Sequence, residues 1–402
     1  MTENRDGKAA PVGSAVVHRV VLRNYRSIAA CDVTLGPMTY LVGPNGSGKS
    51  NFLDALRLVT DALRTSLDHA LRERGGINEV RRRSSGHPMD FGIRVEFQIG
   101  SETGHLAFDV GARAGGDFVV KREECMLGNA RYIVLEGQAV ATVGVAPPAA
   151  DDRLYLVNAA GLPEFRPVFD LLSSLGFYNI SPAAIRELQP PDKGDLLARD
   201  GRNLASVLER LAKSAPNARK RIEEYLGRIV PGIEGVDRKD VGHMETLEFR
   251  QRVQGAAHPW RFPAINMSDG TLRALAILVA VFQSRGERRV RLIGIEEPEI
   301  ALHPAAEAYL RDALRDGARQ MQVILTSHSP ELLDDPRINE AEILSVTARD
   351  GTTAIAPLDE PTRSILRDQL YTPGELLRTD QLGADLGSIP DAAQLRLFDV
   401  VP

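Results

Sequence analysis

The stretch "YLVGPNGSGKSNFLDAL", Tyr40 to Leu56, restricts the fold more than any other feature of this chain. An apolar run stops at a glycine-rich loop. Helical spacing then takes over, with Phe52, Leu53, Leu56, Val59 and Leu63 on one side. The loop itself, Gly43 to Ser50, satisfies the phosphate-loop pattern in full. Its glycines let the backbone curl until successive N–H groups face phosphate oxygens, so Asn45, Gly46, Ser47 and Gly48 are candidate phosphate contacts. Lys49 adds a point charge near the β and γ positions, and Ser50 offers a hydroxyl to Mg²⁺. A glycine-rich surface turn would not need a strand before it and a helix after it. This loop predicts binding of a nucleoside triphosphate.

Two later strands carry the polar groups that a triphosphate reaction needs. "RLIGIEEPEIALHP", Arg291 to Pro304, is an apolar strand ending in adjacent carboxylates, which repel one another unless a cation sits there. Glu296 is the candidate Mg²⁺ ligand, and Glu297 the candidate base for an attacking water. Glu299 suits a solvated cap of the next helix. "VILTSHSPELL", Val323 to Leu333, delivers His328 at a strand end, where it can donate a hydrogen bond to a γ-phosphate oxygen. In "MSDGTLRALAIL", Met267 to Leu278, a Ser-Asp-Gly turn opens an apolar helix, which makes Ser268 and Gly270 a second anion-facing helix start and also a good N-cap.

Around these motifs the chain reads as mixed α/β. Strand-like runs between Phe91 and Val157 ("FGIRVEFQIG", "HLAFDVGA", "FVVKREECML", "RYIVLEG", "DRLYLVNA") predict an antiparallel meander. Pro163 to Val230 is helical with proline interruptions, and it lacks the heptad repeat of a long coiled coil. "ETLEFRQRV", "VRLIGI" and "QVILTS" alternate with helices starting near Ser268 and Pro304, which suggests a covered parallel sheet. "AEILSVTA" and "TTAIAPL" form a hairpin through Arg349-Asp350-Gly351. The expected organisation is a flexible tail (1–15), an N-terminal part with the phosphate loop and meander (16–158), a helical insertion (159–243), a C-terminal part with the acidic and histidine strands (244–358), and a segment of short helices and loose tail (359–402).

Five motifs, "LRNYRSI", "LVGPNGSGKSNFLDAL", "INMSDGTLRALAIL", "IEEPEIALHP" and "VILTSHSPELL", occur in an order that resembles the ABC-class ATPases, and within them the SMC, RecF and OLD-type group of AAA-family ATPases. The resemblance covers roughly Val16 to Gly100 and Glu245 to Leu358. It implies an α/β P-loop ATPase head with a parallel-rich sheet, an antiparallel β meander and a helical insertion, and Mg²⁺-dependent hydrolysis of ATP. It also implies that two heads meet face to face as a homodimer, with Ser268 and Gly270 of each acting on the γ-phosphate held by the other. Ala301-Leu302-His303 becomes the loop that crosses the seam. Arg26 is then a residue near the phosphates, and Gln98 a water- and metal-contacting glutamine. Departures matter: Glu296 stands where ABC transporters carry Asp, His303 replaces their aspartate, and the signature reads Ser-Asp-Gly. About 215 residues separate Ser50 from Ser268, too few for an SMC-length coil, and 74 follow His328, too few for an OLD-type Toprim nuclease.

Three readings of the output stay open: an ATPase subunit of a prokaryotic defence system working with a separately encoded effector, a RecF-like DNA-binding repair clamp, and a module that only senses ATP. The net charge of −5 excludes a chain basic throughout, so DNA contact must come from local runs, Arg72–Arg83 or Arg285–Arg291, each +3. Cys31 and Cys125 lack metal-ligand spacing and form no disulfide framework. With no apolar run of membrane length and no signal-peptide core, the expectation is a cytoplasmic protein without membrane contact.

Overall fold

The computed structural model describes residues 16–84, 88–141, 147–150, 152–283 and 290–399. In chain order its strands are β1 (Val17–Tyr25), β2 (Ile28–Thr34), β3 (Met38–Val42), β4 (Asp90–Ile99), β5 (Glu102–Ala112), β6 (Phe118–Leu127), β7 (Ala130–Leu135), β8 (Gln138–Ala141), β9 (Gly176–Tyr178), β10 (Ile233–Val241), β11 (Met244–Gln251), β12 (Trp260–Pro263), β13 (Leu292–Glu296), β14 (Gln322–Ser327), β15 (Ile343–Arg349) and β16 (Thr352–Pro357). The helices are α1 (Lys49–Arg64), α2 (Leu67–Arg72), α3 (Ile77–Val80), α4 (Leu156–Ala159), α5 (Arg166–Ser173), α6 (Pro182–Arg186), α7 (Leu204–Ser214), α8 (Pro216–Ile229), α9 (Asp269–Phe282), α10 (Pro304–Ala318), α11 (Pro330–Leu333), α12 (Glu360–Arg367) and α13 (Pro373–Arg378). Among these residues no helix is long and apolar enough to cross a membrane.

The chain divides into two compact units. The first comprises residues 1–175, 340–365 and 382–402. Its strands run in the order β8-β7-β6-β5-β4-β1-β2-β16-β15-β3. Pairing is antiparallel from β8 to β2, so the meander is continuous with the first two strands of the chain. It turns parallel between β16 and β2 and between β15 and β3. The β15–β16 hairpin closes at Asp350-Gly351, both at positive φ (49° and 72°), as a two-residue turn matching strand twist requires. Helix α1 buries Phe52, Leu53, Leu56, Val59 and Leu63, the face expected from their spacing.

Two expectations for this unit fail. "DRLYLVNA" is not a strand: Leu156 opens the short helix α4, and the last meander strand is β8 instead. The buried carboxylate of Glu123 decides this, because its oxygens accept the N–H groups of Tyr155 (2.6 Å) and Leu156 (2.9 Å), donors that a helix start leaves without intrahelical partners. Nor is the described part of the C-terminal tail loose. Leu395 and Leu397 pack on Val21 and Ala30, and Arg94 Nη1 donates to the Leu397 carbonyl at 3.1 Å.

The second unit comprises residues 176–339 and 366–381. Strands β14, β13 and β9 are parallel neighbours. "ETLEFRQRV", expected in a parallel sheet, is β11, the centre of a separate antiparallel sheet β10-β11-β12. On one face of β11 Leu247 and Phe249 are buried; on the other, Glu248 is buried between Lys239 and Arg261, and Arg250 is half-buried among acids. Helix α9 is buried on nearly every side from Gly270 to Phe282, as an apolar stripe all round dictates.

Candidate functional site

In the first unit the phosphate loop leaves β3, which is buried along its whole length. Gly43 is obligatory, because a side-chain carbon there would collide with the Val346 carbonyl on β15. Gly48, at φ 102°, would collide with Thr353 on β16. Thr353 Oγ1 instead donates to the Ser47 carbonyl (2.8 Å) and pairs with Ser27 Oγ (2.7 Å), which accepts from Asn51 Nδ2 (2.6 Å). Lys49, the first residue of α1, is 5 % exposed and folds its Nζ back onto the carbonyls of Gly43 (2.8 Å) and Pro44 (3.0 Å). Among the described residues no side chain caps the N-terminus of α1, and the buried Ser47 hydroxyl finds no hydrogen-bond partner. Asn45, Gly46 and Ser50 are exposed at the mouth. An uncapped helix start, an orphaned buried hydroxyl and a lysine fit a triphosphate with its Mg²⁺.

Arg26, at φ 49°, forms an ion pair with Asp54 of α1 (2.9 Å). Asp54 also accepts from Tyr25 (2.8 Å), Arg57 (2.5 Å) and Arg74 (3.0 Å). Burial would raise the Asp54 carboxyl, but the guanidiniums of Arg74, Arg26 and Arg57 together hold it below its ordinary value. Arg26 is thus tied one turn beyond Ser50. Gln98 sits near the end of β4, exposed, with Nε2 donating to the Gly100 carbonyl (3.1 Å).

In the run Arg72–Arg83, one of the two candidate DNA contacts, three of the five arginines form ion pairs. Arg72 pairs with Asp68 and Arg83 with Glu79, while Arg74 is buried between Asp54 and Asp61. Arg81 donates to Asn78 and the Pro88 carbonyl, and Arg82 donates to Thr352. The other run falls largely on residues 284–289, outside the described residues.

In the second unit, the parallel register of β13 and β14 pairs Glu296 with Thr326 and brings the two strand ends together. Glu297 takes φ 43°, a left-handed conformation that costs a non-glycine residue energy. Its N–H donates to both the carbonyl and Oγ1 of Thr326 (3.1 Å each). His328 Nδ1 lies 3.5 Å from Glu297 Oε1 and 3.9 Å from Glu299 Oε1. Glu299 is not a solvated cap. It is buried, accepting from Ser327 Oγ (2.7 Å) and the His328 N–H (3.2 Å), with its second oxygen unpartnered among the described residues. The cap of α10 is His303, whose Nδ1 accepts from Ala305 N (3.2 Å). The apolar neighbours of Glu299 in sequence give no sign of this exchange of roles.

At the start of α9, Ser268 is exposed and its Oγ accepts from Thr271 N at 3.2 Å. Gly270 is buried, and any side chain there would strike the Ala301 carbonyl in the loop that follows Glu297. Two arginines in this unit escape sequence reasoning. Arg199 Nη2 lies 3.2 Å from Glu296 Oε1. Arg273, half-buried on α9, is held below its ordinary pKa by burial, which outweighs the opposing charges of Asp269, Glu297 and Glu299. Asp269 lies four residues before Arg273 on α9, a spacing the sequence shows, but no spacing links Arg199 to Glu296 or Arg273 to Glu297 and Glu299, so only the fold brings those together.

Over residues 38–112 and 165–334 the chain matches the family described as "AAA domain, putative AbiEii toxin, Type IV TA system". It is 25% identical over 381 residues to the OLD nuclease of Thermus scotoductus; the alignment covers 87% of this chain and 66% of that protein, just under two thirds of its length. A stretch of 42 residues is 45% identical to the DNA replication and repair protein RecF of Vibrio vulnificus, 10% of this chain and 12% of that one. The fold is that of SMC heads. An SMC head with an extended coiled coil, bound to the C-terminal domain of ScpA from Pyrococcus furiosus, superposes with a TM-score of 0.56 at 12% identity, covering 88% of this chain and 99% of that one. An SMC head bound to the C-winged helix domain of ScpA gives 0.55 at 13%, covering 86% and 98%. Since the family match spans more than half of the sequence, this protein belongs to that AAA-domain family, as an ATPase head of the ABC, SMC, RecF and OLD type.

Proposed function

We propose that this protein binds and hydrolyses ATP and uses the nucleotide state as a switch between separate and paired heads. The observation that carries this reading is the pairing of His328 with Glu297, 3.5 Å apart, with Glu297 held in a strained backbone conformation. Strain of that kind persists where surrounding structure enforces it, as two bonds to Thr326 do here.

In this reading Asn45 to Lys49 cradle the phosphates. Ser50 and Glu296, with Gln98, would hold Mg²⁺, which would offset phosphate charge. Glu297 accepts a proton as water attacks the γ-phosphorus and the bond to the bridging oxygen breaks. His328 donates a hydrogen bond to the γ-phosphate, and its contact with Glu297 couples the base to the presence of that phosphate. Ser268, exposed at the start of α9, supplies a helix terminus to the triphosphate of a second copy. Gly270, buried against Ala301, keeps the α9 start close to the loop after Glu297 and so supports Ser268 from within.

The output we favour is a prokaryotic defence or DNA-maintenance system in which a separately encoded effector acts on the ATP-bound dimer. The description of the matched family as a toxin–antitoxin component and the similarity to an OLD nuclease support it. The ion pairs at Arg72, Arg74 and Arg83 reduce the charge open to the alternative, a RecF-like clamp gripping DNA through that run. A module that only senses ATP would have no use for the Glu297–His328 pair.

The test is the solution mass of Glu297→Gln by light scattering, with Mg-ATP and with Mg-ADP. Doubling with ATP alone is expected. A mass indifferent to nucleotide would overturn the switch.

A further inference from the structure

Arg199 sits on the carboxylate read above as the metal ligand, with Nη2 3.2 Å from Glu296 Oε1. The turn that carries it is firmly held. Just beyond β9, the Arg199 and Asp200 carbonyls accept the N–H groups of Asn179 and Ser181, each at 3.0 Å. Strand β9 is in turn registered on β13, with Tyr178 opposite Ile295, so Arg199 is delivered beside the next residue, Glu296. Asn203 closes the turn from inside: Oδ1 accepts the Ala198 N–H (2.7 Å), and Nδ2 donates to the Leu196 carbonyl (3.0 Å) and Asp192 (2.8 Å). Gly201 provides the left-handed bend at φ 82°, packed against Ile185 and Ala276.

The ion pair this scaffold creates is partly exposed, 46% on the arginine and 20% on the glutamate. Such pairs contribute little to stability, so stability does not account for the construction. Charge placement does. Glu296 and Glu297 are adjacent acids at a strand end and need cations. Arg199 faces Glu296 with a fixed positive charge.

We propose that Arg199 is the resident counter-ion of Glu296, and that a divalent metal must displace its guanidinium to load. The proposal rests on the reading of Glu296 as a metal ligand. Guanidinium and metal compete for the same oxygen lone pairs, so Arg199 sets how much divalent metal the site requires. It keeps the acid neutralised while no metal is there, and the exposed arginine is free to swing into water once displaced.

The test is Mn²⁺ binding to the full chain, read from the free-Mn²⁺ signal in electron paramagnetic resonance, with a non-hydrolysable ATP analogue present. Arg199→Ala is expected to bind Mn²⁺ about two- to fivefold more tightly than wild type, the scale of one partly exposed ion pair. Arg199→Lys, which keeps the charge, stays near wild type, and Glu296→Gln binds more weakly. If Glu296→Gln weakens binding but Arg199→Ala leaves it equal or weaker, the competition is overturned and Glu296 stands as a ligand. If Glu296→Gln has no effect, the metal assignment falls, and the role of Arg199 falls with it.

Discussion

His328 and Glu297 face one another at the ends of adjacent parallel strands, Nδ1 to Oε1 3.5 Å, and beneath them the buried carboxylate of Glu299 holds the His328 N–H. Three side chains from two strand ends therefore form one unit, and changes to each should have different signatures.

Glu297→Gln keeps the shape but cannot accept a proton. Hydrolysis should fall about 10²- to 10⁴-fold, the usual contribution of a general base, with ATP binding retained. Phosphate release and nucleotide affinity measured on the same preparation check this. Equal losses in both would mean the residue supports the fold instead.

Glu299→Ala should act through position. It strands the Ser327 hydroxyl and the His328 N–H in a buried place, at a cost of about 1–3 kcal/mol of stability. Hydrolysis should drop with it, while nucleotide affinity at the phosphate loop changes little. Urea denaturation alongside steady-state kinetics separates the two effects.

Lys49→Ala should lose nucleotide binding, and therefore dimer formation, without unfolding the chain. Ser268→Arg should bind nucleotide but fail to double in mass in the Glu297→Gln background. Light scattering with ATP distinguishes them, and identical behaviour would remove the case for Ser268 acting on a second copy.

Glu123 gives a pH dependence of folding. Its burial pushes the carboxyl up to about 7 from 4.5, against the bonds from Tyr132, Tyr155 and Leu156 that favour ionisation. Between these values the unfolded chain has released the proton and the folded one still holds it, so stability falls as pH rises from 4.5 to 7, by about 3 kcal/mol in total, and is flat on either side. Glu123→Gln should remove that slope. The difference between wild-type and variant urea midpoints at pH 5 and pH 7.5 isolates it from other groups.

Legibility from sequence followed the locality of the signal. Short-range patterns carried the phosphate loop, the buried face of α1, the starts of α9 and α10, and the Asp350-Gly351 hairpin, because spacing and turn chemistry act within a few residues. Where a partner distant in the chain decided the outcome, local reading failed. Tyr155 and Leu156 look like strand residues but start a helix on Glu123, more than thirty positions away. Glu299 looks like a cap and is buried beneath Ser327.

By itself the sequence determined the chemical inventory: a glycine loop with Lys49 and Ser50, paired acids at Glu296 and Glu297, a histidine at a strand end, and the ATPase family these imply. Tertiary structure alone decided what each charge faces. Arg26 and Arg74 go to Asp54, Arg199 goes to Glu296, and Gly270 must be glycine because Ala301 lies against it. The reason is physical. Helix and strand periods are set by neighbouring bonds, whereas ion pairs, burial and close backbone approach depend on residues that meet only once the chain has folded.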